Sequence, residues 1–270
     1  MTELERVPPG VDPSVPSSAR VYDYLLGGKD NLTIDRAVAE RLLSVAPDSR
    51  LTARANRNFL ARAVRLMARR GVRQFIDLGT GIPTSPNVHE LAREIVPSAS
   101  VVYVDYDPVV RLHAEVLLAH DKNVASIQAD VRRPRAVLDD PEVTRLIDFS
   151  QPIGVLMIGL LHYITEAEDP AGIIAAFREP MAAGSHLAIS HGMAESAPEA
   201  LAQLKAATAN SPAQPTFRSH DRVLALFDGF ELLEPGLVPV QDWRNSEDPL
   251  LLPGHETPQL RIEGAVGVRP

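Results

Sequence analysis

Short apolar runs alternate with amphipathic stretches over most of the chain after Arg73. Five runs with almost no internal polar residue predict β-strands: Gln74–Leu78, Ser100–Asp105, Ala125–Ala129, Ile153–Ile158 and His186–Ser190. Helices are predicted between them: Pro86–Val96, Pro108–His120, Glu142–Ile147 and Pro170–Met181. Strands that lack polar residues are buried on both faces, which is typical of a parallel sheet covered by helices. The pattern therefore predicts an α/β fold with a doubly wound, mostly parallel sheet.

The pattern differs before this region. Residues 1–16 are rich in proline, which locks φ and lacks an N–H group, so we expect a flexible arm there. Residues 17–71 repeat apolar positions at helical spacing, with Thr33 placed to cap one helix and Gly71 placed to end the next. We therefore divide the chain into the arm, a helical N-terminal cap and a sheet domain that spans residues 72–270.

The alternation weakens after Asn210. A helix at Asp221–Phe227 is followed by a strand at Phe230–Leu233, and Leu260–Val268 is predicted to form a strand at the edge of the sheet. The preceding segment, Met193–Ser219, is rich in Ala, Pro and Gln. This segment could cover the ligand site and select the substrate, or it could be only a surface loop.

Composition and charge exclude several classes of function. The 270 residues are 45% hydrophobic and 23% charged, as in globular proteins. The net charge of −8 argues against nucleic acid as a partner, because phosphate binding needs clustered cations. The absence of cysteine excludes disulfides, thiolate nucleophiles and Cys-ligated metals. No long apolar segment or signal peptide is present, which predicts a cytoplasmic protein that does not bind a membrane.

A glycine turn follows the first predicted strand. The strand ends near Asp77, the chain passes through Gly79 and Gly81, and Ser85 and Pro86 are placed to start the next helix. Glycine permits a sharp turn and leaves the backbone open to a ligand, and the helix N-terminus offers unpaired N–H groups. By itself, this pattern fits a ligand site and a tight turn without a ligand equally well.

Two further strands end in acidic residues at the same edge of the predicted sheet. Asp105 lies 24 positions after Gly81, close to the interval at which an acidic side chain binds a ribose in dinucleotide folds. Asp107 precedes Pro108 and fits a helix N-cap better than a ligand contact. Asp130 follows the third strand, and alone it is more simply an ordinary loop carboxylate. Together with the turn, these positions predict a ligand-binding crevice at the carboxyl ends of the strands.

Five motifs in this order resemble class I S-adenosylmethionine-dependent methyltransferases: Asp77–Gly81, Val102–Asp105, Gln128–Val131, Gly159–Ile164 and Ala182–His191. More narrowly, the segments SSARVYDYLLGGKDN, NRNFLARAVR and FELLEPGLVPVQDWR resemble a functionally unassigned family of actinobacterial S-adenosyl methyltransferases. The resemblance implies a Rossmann-like sheet of the class I methyltransferase type with a helical N-terminal cap. It also implies S-adenosylmethionine as the cofactor.

The resemblance assigns the methionine part of the cofactor to the glycine turn. Gly79, Thr80 and Gly81 would pack against this part, and Asp77 would orient its ammonium group. The chain departs from the general class at Pro83, where a third glycine is usual, and it shares this proline with the narrower family. Because proline has no N–H group, the loop would bind with one donor fewer.

The resemblance assigns the adenosine part to the next two strand ends. Asp105 would accept hydrogen bonds from both ribose hydroxyls, and Tyr106 would lie against the adenine. Asp130 and the Val131 N–H would contact the amino edge of the adenine.

Two tyrosines, Tyr22 and Tyr24, precede the Gly27–Gly28 pair in the N-terminal region. This segment fits a lid whose tyrosines contact the cofactor and exclude water, and it equally fits a helical hairpin whose tyrosines only pack. Three polar residues of the following helix fit either a contact with the cofactor carboxylate or a solvated helix face: Arg54, Asn56 and Arg57.

His162 and Tyr163 follow the fourth strand, next to the expected position of the sulfonium methyl group. His162 would act as a general base for a hydroxyl or amine acceptor. Alternatively it only shapes the pocket, because methyl transfer often needs no more than alignment and desolvation. His191, at the end of the fifth strand, is a weaker candidate for the base.

We predict a methyltransferase that acts on a small-molecule acceptor by direct displacement at the sulfonium methyl group. Two alternatives stay open, namely a protein that binds the cofactor without transferring its methyl group, and a nicotinamide-dependent oxidoreductase. Thr84 stands where the G-x-G-x-x-G fingerprint of the latter needs glycine. No metal-ligand motif is present. The acceptor and the oligomeric state leave no signature in the sequence.

Overall fold

A computed structural model of the chain describes residues 11–118, 121–208, 214–244 and 258–270. Its α-helices are α1 Ser18–Leu26, α2 Thr33–Val45, α3 Ser49–Arg69, α4 Val88–Arg93, α5 Pro108–Leu118, α6 Pro134–Leu138, α7 Pro141–Leu146, α8 Pro170–Arg178, α9 Pro198–Thr208 and α10 His220–Leu224. Its strands are β1 Gln74–Leu78, β2 Ser100–Asp105, β3 Val124–Gln128, β4 Gly154–Ile158, β5 His186–Gly192, β6 Glu231–Leu232, β7 Val238–Pro239 and β8 Ile262–Val268. None of the described helices is long and apolar enough to cross a membrane.

The strands form one sheet in the order β3-β2-β1-β4-β5-β8-β6, and β7 also pairs with β8. Strands β1 to β5 are parallel, while β8 runs antiparallel to β5, β6 and β7. The order runs outward from β1 in both directions, which confirms the doubly wound sheet. The five strands predicted first are all present, with ends shifted by at most two residues.

The C-terminal strand is not at the edge of the sheet, contrary to the prediction. β8 lies between β5 on one side and β6 and β7 on the other. Its central residues are buried, and Gly264 lies so close to α3 that a β-carbon there would come within 2.8 Å of the Phe59 ring. The alternating pattern of this segment suggested one exposed face, but glycines supply the alternation and both faces are covered.

Two apolar layers cover the sheet. On one face α3 and α4 contribute Phe59, Met67 and Leu91, and the Phe59 ring packs edge-on against Trp243 at 5.1 Å between centroids. The other face is covered by α6, α7, α8 and α10. Helices α1 and α2 pack against each other, α1 also packs against α3, and α2 also packs against α9. Of the N-terminal helices, α3 therefore belongs to the sheet layers, and α1 and α2 form an outer group.

Two predicted helix starts are wrong. Asn87, rather than Ser85, is the N-cap of α4, and the Glu90 carboxylate accepts a hydrogen bond from the Asn87 N–H. Thr33 is the first residue of α2 and not its cap. The Leu32 N–H donates to Asp35 at 2.8 Å, so a carboxylate inside the first turn replaces the capping hydroxyl.

Other boundary predictions are confirmed. Gly71 follows α3 with φ at +92°, and Asp107 caps α5 by accepting from the Val109 N–H at 2.8 Å. Residues 1–10 of the predicted arm lie outside the described residues. Within the remainder of the arm, Val11 packs against the cluster of Ile82 and Val110.

Candidate functional site

The glycine turn folds back onto the end of β2. Gly79 and Gly81 have φ values of +69° and +67°, which side chains other than glycine rarely adopt. The N–H groups of Gly79 and Thr80 both donate to the Val104 carbonyl, at 2.8 and 3.3 Å. The turn is therefore held against the neighbouring strand end.

Asp105 lies directly at this turn, as the sequence interval predicted. Its side chain is only 8% exposed, and its two oxygens accept hydrogen bonds from the N–H groups of Gly81 and Asp107, both at 2.9 Å. Each carboxylate oxygen can accept a second hydrogen bond. The side chain is thus fixed in place and still has acceptor capacity for a ligand.

Asp77 is the second buried carboxylate of the turn. It accepts a hydrogen bond from the Thr80 hydroxyl at 2.8 Å. Burial raises the pKa of Asp77 to about 6 and, likewise, the pKa of Asp105 to about 6. Two buried carboxylates with raised pKa values mark a place where a ligand with positive charge or hydrogen-bond donors would be stabilised.

The two glycines of the turn make different contacts, which gives a matched test. A β-carbon at Gly79 would lie 2.6 Å from the Leu160 Cδ1 atom, whereas a β-carbon at Gly81 would meet no atom within 4 Å. We expect Gly81→Ala to lower the free energy of unfolding by about 1–2 kcal/mol through backbone strain alone. Gly79→Ala carries the same strain and must also displace Leu160, so urea unfolding should show a larger loss. Equal losses would contradict this packing.

Tyr106 presents an open aromatic surface beside Asp105. Its side chain is 48% exposed. Ser17 donates its hydroxyl to Asp107 at 2.5 Å. The N-terminus of α1 is therefore attached to the loop after β2, next to the predicted adenine position.

Asp130 and Val131 lie near this position, but Asp130 is already paired. Both Asp130 oxygens accept hydrogen bonds from Arg132, which lowers the pKa of Asp130, and Arg132 also binds Glu168. Val131 packs into the core. The end of β3 is close to Asp105, because the Ala129 N–H donates to the Asp105 carbonyl at 2.9 Å.

The two N-terminal tyrosines occupy different places. Tyr22 donates its hydroxyl to the Ala53 carbonyl at 3.0 Å and accepts from the Asn56 amide at 3.2 Å. Tyr24 instead donates to Glu40 at 2.5 Å, and its ring lies under the Arg50 guanidinium. The structure thus turns Tyr22 toward α3 and engages Tyr24 in contacts within the N-terminal helices.

His162 lies in a 3-10 turn, Leu161–Tyr163, just after β4. Its ring packs against Tyr163 at 4.4 Å between centroids, and its Nδ1 atom is buried without a hydrogen-bond partner in the described part of the chain. Burial lowers the pKa of His162 to about 3. A group this weakly basic is a poor general base at neutral pH, so these observations favour the alternative that His162 shapes the pocket.

Comparison with known proteins decides the family. The sequence profile of a family described as S-adenosyl methyltransferase matches residues 5–270. The chain belongs to this S-adenosyl methyltransferase family. Its cofactor is S-adenosylmethionine, and the nicotinamide-dependent alternative is wrong. The fold is the Rossmann-like fold of class I methyltransferases.

Two solved structures resemble this methyltransferase over nearly its full length. A candidate methyltransferase from Thermobifida fusca is 39% identical with a TM-score of 0.90, covering 98% of this chain and 99% of that one. A DUF574-family protein from Streptomyces avermitilis is 36% identical with a TM-score of 0.89, covering 96% and 99%. No curated protein matches the chain.

Arg218 organises the loop after β4 in this methyltransferase, and no local sequence pattern marks it. Its guanidinium donates to the carbonyls of Leu161 and Ile164 at 2.8 and 2.7 Å and to Glu166 at 2.7 Å. A further contact joins it to His191 Nε2 at 2.8 Å. Because arginine only donates, Nε2 is the acceptor, so His191 is neutral with its proton on Nδ1. The Nδ1–H group donates to the Gly192 carbonyl at 2.7 Å. Both ring nitrogens are therefore bonded, and His191 is not a free base.

The segment Met193–Ser219 docks onto the same loop at its C-terminal end. The Thr216 N–H donates to the His162 carbonyl at 2.6 Å, and the Ala194 N–H donates to the Arg218 carbonyl at 2.9 Å. Residues 209–213 lie outside the described residues. The contacts that are described support the cover interpretation. Across the described ranges, no three His, Asp or Glu side chains form a metal-binding group.

Proposed function

We propose that this methyltransferase methylates a small molecule bound between the glycine turn and the loop after β4. The observation that carries the proposal is the hydrogen bond from the Gly81 N–H to the Asp105 carboxylate. This hydrogen bond holds Asp105, the carboxylate predicted to bind the ribose, against the turn predicted to bind the methionine part of the cofactor. The net charge of −8 supports a small acceptor over a nucleic acid.

Several residues would hold the cofactor. Asp105 would accept from the ribose hydroxyls, and the exposed face of Tyr106 would pack on the adenine. Asp77 would accept from the ammonium group at the glycine turn. Asp130 would reach the adenine only by sharing its carboxylate with Arg132. When bound, S-adenosylmethionine supplies a methyl group on a positively charged sulfur, which the acceptor takes by direct displacement.

The residues around this crevice favour positioning over proton transfer. His162 is a weak base, and burial raises the pKa of the Tyr22 and Tyr163 hydroxyls, so these tyrosines stay neutral. Because a sulfonium group is already a good leaving group, alignment and exclusion of water suffice for the transfer. Helix α1, attached at Asp107 and Asn56, would exclude water from the crevice.

The proposal is tested by following the methyl group. The protein is incubated with methyl-labelled S-adenosylmethionine and an unfractionated bacterial extract, and the products are separated by mass. Label on a small molecule, with release of S-adenosylhomocysteine, is the expected result. Label confined to protein or RNA would contradict a small acceptor. Cofactor binding without any methyl transfer would favour the alternative that this protein binds the cofactor but has no transferase activity.

Cofactor affinity should depend on pH. In the free protein the pKa values of Asp77 and Asp105 are about 6. Contact with an ammonium group and with ribose hydroxyls favours the ionised carboxylates, so binding lowers both pKa values. The affinity should therefore be full above about pH 7 and fall about tenfold for each carboxylate that must lose a proton at pH 5. Calorimetry with S-adenosylhomocysteine from pH 5 to 8 measures this dependence, and a flat profile would contradict it.

A further inference from the structure

Asn56 carries a buried acceptor without a partner. Its side chain is 2% exposed in the middle of α3, and its Oδ1 atom has no hydrogen-bond partner in the described part of the chain. Leaving a buried acceptor unpaired costs about 1–3 kcal/mol. Because this acceptor lies beside a ligand crevice, we expect a hydrogen-bond donor of the bound ligand to pair with it.

The orientation of the Asn56 amide is fixed by Tyr22. A tyrosine hydroxyl has one hydrogen, and that of Tyr22 goes to the Ala53 carbonyl at 3.0 Å. Tyr22 can therefore only accept from Asn56, which places the Asn56 NH₂ group toward Tyr22 at 3.2 Å. The unpaired atom is the carbonyl oxygen, and its partner must be a donor.

Asn56 lies near the end of the crevice that is predicted to hold the methionine part of the cofactor. Its Nδ2 atom would be 3.4 Å from a β-carbon at Gly159, the residue that follows β4. The next residue, Leu160, packs against Gly79 of the glycine turn, with 2.6 Å between Leu160 Cδ1 and a β-carbon at Gly79. The neighbouring Arg57 donates to the Pro86 carbonyl at 2.8 Å, so α3 runs along the loop after the turn.

We infer that Asn56 Oδ1 accepts a hydrogen bond from the ammonium group of the cofactor's methionine part. This inference rests on the proposed function. The cofactor carboxylate has no hydrogen to donate, and the ribose hydroxyls have Asp105. Through Asn56 and Tyr22, the N-terminal helices recognise the amino-acid end of the cofactor together with Asp77 at the sheet edge.

The inference predicts selective loss of binding. S-Adenosylhomocysteine carries the amino-acid end, whereas 5′-methylthioadenosine lacks it and keeps the adenosine. In calorimetry, Asn56→Leu should lower the affinity for S-adenosylhomocysteine by roughly 10- to 100-fold, the range for a hydrogen bond to a charged group. The affinity for 5′-methylthioadenosine should stay unchanged, which also shows that the variant is folded.

A matched control comes from the same helix. Arg54 is exposed on α3, and Arg54→Leu should leave both affinities unchanged. Tyr22→Phe removes the hydroxyl that orients the Asn56 amide. This variant should lower the affinity for S-adenosylhomocysteine by less than Asn56→Leu does, and it should leave the affinity for 5′-methylthioadenosine unchanged.

Two outcomes would overturn the inference. Equal loss for both ligands in Asn56→Leu would show a general structural role, and no loss for either would place the missing donor on the methyl acceptor. If the variant does not fold, the affinity of the wild-type protein for S-adenosylhomocysteine is compared with its affinity for an analogue that lacks only the amino group. Equal affinities for these two ligands would also overturn the inference. Failure of the proposed function looks different, because the wild-type protein would then still bind both nucleosides but would transfer no methyl group to a small molecule.

Discussion

We expect Arg218→Met to lower the free energy of unfolding by about 3–5 kcal/mol, the cost of breaking a buried charged network. The Arg218 side chain is 2% exposed and bonds His191, Glu166 and the carbonyls of Leu161 and Ile164. Methionine fills a similar volume without a donor, so the two buried carbonyls and the buried His191 ring lose a partner. Glu166 is about half exposed and contributes little to this loss. Urea unfolding followed by circular dichroism measures the loss.

Arg222→Met is the matched control for this prediction. Arg222 binds the same carboxylate, Glu166, at 2.6 Å, but its side chain is 62% exposed. Exposed ion pairs contribute little, and this variant should stay within about 0.5 kcal/mol of the wild-type protein. Similar losses for both arginines would show that the ion pair with Glu166, and not the buried carbonyls and His191, gives Arg218 its effect.

The second large effect is expected for cofactor binding by Asp105→Ala. Each hydrogen bond to a charged group contributes about 1.5–3 kcal/mol, and Asp105 would make two to the ribose. We therefore expect a loss of about 3 kcal/mol, more than 100-fold in the dissociation constant. Calorimetry should show the same loss for S-adenosylhomocysteine and 5′-methylthioadenosine, because both carry the ribose.

Asp107→Asn provides the comparison for Asp105. Asp107 is equally buried two residues away, and its contacts are the α5 cap and Ser17. Asparagine can cap a helix, so cofactor affinity should change by less than about threefold. Unchanged affinity in Asp105→Ala would remove this residue from the ribose site.

The central sheet and the crevice could be predicted because their signals are local. Strands buried on both faces read as unbroken apolar runs, and the ends of parallel strands share one edge. The 24-residue interval between Gly81 and Asp105 was therefore enough to predict two groups that the structure joins by a hydrogen bond. Asp107 was likewise assigned correctly to a helix cap, because the following proline marks the helix start.

The parts that could not be predicted depend on contacts between distant segments. Arg218 reaches carbonyls more than 50 residues earlier in the chain, and no local pattern marks it. In the sequence Asn56 fitted either a cofactor contact or a solvated helix face, and in the structure it is buried beside Tyr22. Asp130 fitted a ligand contact, but the sequence does not show that Arg132 folds back onto it.

The interior position of β8 has a consequence for protein synthesis. β5 ends at Gly192, but its partner begins at Ile262, and β6 and β7 join the sheet through β8. The growing polypeptide therefore holds β5 with an unpaired edge until the ribosome has translated the last strand. Deleting Ile262–Val268 would remove the strand that joins β6 and β7 to β5. The shortened protein would keep the unpaired edge of β5 and be prone to self-association.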